Sequence, residues 1–93
     1  MEKIGGIGGL FFRVKDPSKL ARWYRDHLGM PLVPASHNER PWVQTSGPTI
    51  LAPFPEDTTS FGSLACHWVV NFRVPNLDAM VAQLQAKGIA VEN

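Results

Sequence analysis

Several features are scarce or missing in this sequence of 93 residues. It contains a single cysteine, so no disulfide can form within the chain, and its nine basic and eight acidic residues are mixed without a run of either sign. No apolar stretch approaches the ~20 residues that a membrane-spanning helix requires. The sequence therefore predicts no nucleic-acid partner, no membrane partner and no scaffold held by disulfides.

The start of the sequence also lacks the pattern of a secretory signal. It has neither a basic region nor an uninterrupted apolar run, so a cytoplasmic location is expected. The length and the ordinary apolar and charged fractions predict one domain, residues 1–93, with a modest core.

What the sequence does contain is an internal repeat. The tripeptide Phe-Arg-Val at residues 12–14 returns sixty positions later at residues 72–74, and a helical pattern follows both copies. A strand followed by an amphipathic helix is therefore predicted twice, which indicates a duplicated fold.

Both predicted helices carry start and stop signals. In the first copy Asp16 is a good N-cap, Pro17 suits the first helical position and Gly29 ends the helix. In the second copy Asn76 takes the cap position and Gly88 closes the helix. The predicted apolar stripes are Leu20, Trp23, Tyr24, His27 and Leu28 in the first helix, and Leu77, Met80, Val81 and Leu84 in the second.

Around the helices, the residue pattern predicts strands. Their spacing indicates an α+β fold with one complete βαβββ module at residues 1–54, a crossover at 55–64 and a partial second module at 65–93 that is truncated after its helix. The predicted strands are 4–14, a short edge strand at 32–35, a hairpin of 42–45 and 49–54, and 66–74.

Alternation within two of these strands separates a helix-facing side from a side that could meet a ligand. The first strand places Leu10, Phe12 and Val14 toward the helix. The residues on the ligand-facing side are Gly9, Phe11 and Arg13 in the first strand, and His67, Val69, Asn71 and Arg73 in the later one.

Four segments in this order resemble the vicinal oxygen chelate superfamily, which includes glyoxalase I, extradiol dioxygenases, and bleomycin and fosfomycin resistance proteins. They are FRVKD at 12–16, WYRDHLGM at 23–30, APFPEDT at 52–58 and NFRVPNLDAMVAQLQAKGI at 71–89. The resemblance covers nearly the whole chain. It implies two βαβββ modules with curved mixed sheets, helices on the outer face and a cupped site between the modules. Many members pair as dimers, so a homodimer is expected.

The resemblance also says where a metal would be bound. In metal-dependent members the first strand of each module supplies a His, Gln or Glu and the last strand supplies a carboxylate. The first-strand positions here are Gly9 and Val69, neither of which can bind a metal, and residues 49–54 contain no Asp, Glu or His. The matching strand of the second module is expected beyond Asn93. No cofactor is predicted, although a divalent ion such as Zn²⁺, Ni²⁺ or Fe²⁺ stays possible if a second chain adds ligands.

His67 is the one candidate for catalysis. It has the same parity as Val69 and lies one pleat earlier, so it could line the cavity as a metal ligand or a general base. The alternative is a histidine at the start of a strand that is partly exposed near the crossover.

The other candidate residues are ones that could bind a ligand. Arg13 and Arg73 occupy equivalent positions in the repeats and could hold a carboxylate or phosphate, or they could simply reach solvent at strand ends. Phe11 and Trp42 could stack on a flat ligand or could belong to the core. Asn71 shares the ligand-facing side.

Three functions are compatible with these residues. The first is binding of a small apolar or planar molecule in the cup without a metal. The second is a metal-dependent lyase or dioxygenase whose site is completed across a dimer. The third is a truncated, self-associating protein that retains no activity.

Overall fold

Two helices are the regular elements of the structure, a computed structural model that describes residues 1–31 and 41–92. Helix α1 spans Pro17–Leu28 and helix α2 spans Leu77–Ala86. The chain divides into two units, Met1–Trp42 and Val43–Asn93, and each unit contains one helix.

Both helices begin at the predicted caps. The Asp16 carboxylate accepts a hydrogen bond of 3.1 Å from the backbone amide of Lys19, and Pro17 opens α1 where an amide hydrogen is not needed. The Asn76 side-chain oxygen accepts a hydrogen bond of 3.0 Å from the amide of Ala79. Each cap therefore satisfies one of the amides that a helix leaves unpaired at its start, as predicted.

The predicted glycines follow the helices, Gly29 as the C-cap of α1 and Gly88 one residue after Lys87, the C-cap of α2. Gly29 has φ +68° and Gly88 has φ +76°, a region that other residues enter at a cost. In this conformation the Gly29 amide donates to the Arg25 carbonyl at 3.1 Å, and the Gly88 amide donates to the Gln85 carbonyl at 3.0 Å. The last carbonyls of both helices thus gain partners.

The predicted apolar stripes coincide with the half-buried sides of the helices. Trp23 and Leu77 are exceptions, since they are 38% and 67% exposed. The half-buried members are Leu20, Tyr24, His27 and Leu28 in α1, and Met80, Val81 and Leu84 in α2. In the described ranges, neither helix has the length and the apolar character needed to cross a bilayer.

The predicted α+β fold of βαβββ modules is wrong for the structure. Residues 1–31 and 41–92 contain no β-strand, so the expected strands at 4–14, 42–45, 49–54 and 66–74 and their curved sheet are not formed. Alternation shows which side chains a strand would bury, but a strand exists only when its amides and carbonyls pair with another strand. The predicted edge strand at 32–35 lies outside the described residues.

The expected core is not found in the described part of the chain either. No side chain there is buried, and large apolar side chains such as Val43, Ile50 and Leu51 are exposed. Apolar surface that stays in water does not contribute the hydrophobic free energy, which is the main favourable term of folding. These side chains are therefore open to a ligand or to another chain.

Turns occupy the region that was predicted as a crossover. Three hydrogen bonds between residues three apart follow one another, and two side-chain hydroxyls, those of Thr58 and Ser63, accept further bonds from the amides of Ser60 and Ala65. The three turns are closed by Thr58 to Pro55, Gly62 to Thr59 and Cys66 to Ser63.

Candidate functional site

The six residues that the sequence singles out are divided between the two units, and all six are exposed. They lie in segments outside the helices, so their positions depend on short contacts and not on a regular element. Unit Met1–Trp42 carries Phe11, Arg13 and Trp42, and unit Val43–Asn93 carries His67, Asn71 and Arg73.

Phe11 folds back over Gly9. A Cβ atom added to Gly9 would lie 2.7 Å from Cζ of Phe11 and 3.0 Å from Cε2, closer than non-bonded carbon atoms approach. The absence of a side chain at position 9 therefore lets the end of the ring approach the backbone, although Phe11 as a whole is 93% exposed.

The same contact bears on the metal that the resemblance implies. Gly9, which the resemblance places at the first ligand position, has no donor atom, and the end of the Phe11 ring lies close to the point where a side chain at position 9 would begin. Within residues 1–31 and 41–92, no three His, Cys, Asp or Glu side chains come together as a group able to hold a metal ion. The described residues therefore do not fit a metal of this kind.

Arg73 is engaged with the backbone of its own unit. Its Nη2 donates to the Thr45 carbonyl at 2.9 Å and its Nη1 donates to the Ser46 carbonyl at 3.4 Å. A Cβ atom on the adjacent Gly47 would overlap Nη1 and lie 2.9 Å from Cζ. The guanidinium is thus fitted against a turn of backbone that only a glycine leaves open.

Arg13 differs from its counterpart in the repeat. It is exposed, and it forms no hydrogen bond among the residues that the structure describes. The repeat predicts the same role for the two arginines, whereas in the structure only Arg73 contacts backbone carbonyls. A guanidinium that has no such contact keeps all of its donors for a ligand or for water.

Aromatic side chains are available in both units. Trp42 is 45% exposed in the first unit. In the second unit the rings of Phe54 and Phe61 lie 5.1 Å apart at 45°, and about half of Phe54 remains exposed. Neither ring was predicted as a site residue, and Phe61 lies in a turn-rich segment that gives no periodic signal.

A second aromatic group lies on α1. Trp23 meets the ring of His27 at 5.0 Å and 58°, and the ring of Tyr24 at 5.6 Å and 85°. These residues were assigned to the apolar stripe of the helix, and the spacing of four residues explains why the side chains of Trp23 and His27 meet. The group stabilises the helix surface.

His67 and Asn71 are exposed residues without regular secondary structure. His67 directly follows the turn closed by Cys66 and Ser63, which places it next to the predicted crossover. Both residues stay candidates for ligand contact, and in the described ranges His67 does not belong to a group of three or more His, Cys, Asp or Glu side chains that could hold a metal ion.

A family model described as the Glyoxalase/Bleomycin resistance protein/Dioxygenase superfamily matches residues 6–93. No curated protein and no solved structure matches the chain.

Proposed function

Because the chain belongs to the Glyoxalase/Bleomycin resistance protein/Dioxygenase superfamily, we propose that it binds a small apolar or planar molecule and does so without a metal ion. The single observation that supports this proposal is the exposed Phe11 ring, which lies over Gly9, the residue that the resemblance aligns with the first metal ligand. A metal-dependent relative would have a donor side chain at the position aligned with Gly9, whereas this chain has the Phe11 ring over a glycine.

The physical basis of the binding is aromatic stacking with removal of apolar surface from water. Phe11 and Trp42 present ring surface in the first unit, and a flat ligand gains both dispersion contacts and apolar burial against such rings. Because exposed rings are unfavourable in water, covering them stabilises the complex.

A negative group on the ligand would strengthen this binding through Arg13. A guanidinium binds a carboxylate through two parallel hydrogen bonds when its donors are available. The residues that we propose to contact the ligand are Phe11, Arg13 and Trp42, all of which belong to the first unit.

A titration by NMR tests the proposal. The ¹⁵N-labelled chain, treated with a chelator, is titrated with naphthalene-2-carboxylate, a flat aromatic acid. We expect saturable shifts at the amides of Phe11, Arg13 and Trp42, and weaker binding of the neutral control naphthalene-2-carboxamide. Shifts that increase linearly without saturation, or that are confined to residues of α2, would refute the proposal.

A second candidate is a self-associating protein that has no ligand, and it is favoured by the exposed apolar side chains. Val43, Ile50 and Leu51 expose most of their surface although they are strongly apolar. Large apolar side chains that are exposed in one chain are covered by a partner in many proteins, and a homodimer is the simplest case.

Sedimentation velocity over a range of micromolar concentrations tests this candidate. A homodimer predicts a species of twice the chain mass that dissociates on dilution, and Ile50→Glu should favour the monomer because it places a charge in the apolar surface. The matched control is Gln44→Glu, which adds the same charge at a polar position. A monomer at every concentration would count against self-association.

A further inference from the structure

We infer that Arg73 is a positioning residue, a clasp that fastens the backbone at residues 45–47 to the segment that leads into α2. The two hydrogen bonds that form the clasp join residues 27 and 28 positions apart in sequence. The inference does not depend on the proposed ligand, since it concerns contacts within the second unit alone.

The clasp has the geometry of a fitted contact. Two different nitrogens of one guanidinium donate to two consecutive carbonyls, those of Thr45 and Ser46. A planar group with a rigid set of donors suits such an arrangement, whereas a lysine ammonium would act as a single point charge. Hydrogen bonds in which the donor is charged are stronger than those between neutral groups.

Gly47 is the second part of the clasp. Any side chain at this position would enter the space of Nη1 and Cζ of Arg73. Because the obstructing atoms are the end of a flexible side chain, Gly47→Ala should displace the guanidinium and leave the backbone in place. This variant therefore opens the clasp and keeps the arginine.

Trypsin reports on the clasp because the protease must take the guanidinium into its own pocket before it cleaves. The chain offers two sites in the same tripeptide, Phe-Arg-Val, with cleavage after Arg13 or after Arg73. We expect Gly47→Ala to raise the initial rate of cleavage after Arg73 by about threefold, in keeping with the modest net strength of surface hydrogen bonds. Cleavage after Arg13 should keep its rate.

The matched control is Gly8→Ala, because nothing lies within 4 Å of a Cβ atom at Gly8. This control should alter neither cleavage rate. An unchanged rate of cleavage after Arg73 in Gly47→Ala would overturn the inference. An equal rise in both cleavage rates would also overturn it, because it would report a general loss of structure.

A second measurement needs no substitution. The ¹⁵N heteronuclear NOE of the arginine Nε–H groups reports their motion on the picosecond to nanosecond scale. We expect a higher value for Arg73 than for Arg13 in the unmodified chain. Equal values for the two arginines would contradict a clasp at Arg73.

Discussion

Phe11→Ala is expected to weaken the binding of naphthalene-2-carboxylate by about tenfold, which corresponds to about 1.4 kcal/mol. The Phe11 ring is 93% exposed and rests over Gly9, so it offers a ligand a flat surface that the variant removes. Isothermal titration calorimetry on the chelator-treated chain gives the two dissociation constants. Unchanged affinity in Phe11→Ala would remove Phe11 from the proposed site.

Gly9→Ala provides a sharper version of the same test. The added Cβ would lie 2.7 Å from the end of the Phe11 ring, so the ring must turn away while its chemistry is kept. We expect a weaker affinity in the single variant and no further loss when Gly9→Ala is added to Phe11→Ala, since the two changes act through one ring. Gly8→Ala, in open space, serves as the control.

Gly29→Val is the change with the largest expected effect on structure. Gly29 has φ +68° and ψ 21°, and a branched side chain there costs about 2 kcal/mol because its Cβ approaches the backbone. The amide of Gly29 would then lose its bond to the Arg25 carbonyl, and the last turn of α1 would fray.

The ¹³Cα chemical shifts of His27 and Leu28 measure this fraying. We expect them to move toward unfolded values in Gly29→Val, while residues near Pro17 change less because the Asp16 cap remains. The control is Gly8→Val, at a glycine that has no positive φ. Identical ¹³Cα shifts in Gly29→Val and the unmodified chain would show that the left-handed conformation is not required.

The helix ends could be predicted because their causes are local. Asp16 accepts from an amide three residues away, and Gly29 permits a backbone conformation at its own position. Each signal lies within one turn of the helix end that it determines. The positions of both helices therefore follow from the sequence by simple rules.

The strands could not be predicted in the same way because pairing is not local. The alternation at residues 66–74 sorts side chains onto two sides, but it does not identify the strand that would accept the hydrogen bonds. The described chain supplies no such pairing, so an alternating pattern is present without a sheet. The family model matches residues 6–93, whereas the regular secondary structure of the described chain consists of the two helices.

The candidate site also combines a local contact, which joins residues close in sequence, with a contact between distant segments. The contact of Phe11 with Gly9 joins residues two positions apart, so it is local, although the strand from which their shared side was predicted is not formed in the described residues. The contact of Arg73 with Thr45 and Ser46 joins distant segments, and no local pattern indicates it. The repeat predicted the same role for Arg13 and Arg73, but in the described residues only Arg73 donates to backbone carbonyls.

The most direct measurement of metal-free binding is a titration of the chelator-treated chain with Zn²⁺, followed through the imidazole proton signals of its three histidines. His67→Ala assigns the critical signal, and naphthalene-2-carboxylate is then added with and without Zn²⁺. Metal-free binding predicts no saturable shift of His67 and the same affinity for the aromatic acid in both samples. A stoichiometric shift of His67 together with tighter binding in Zn²⁺ would contradict it and would indicate a metal site that a second chain completes.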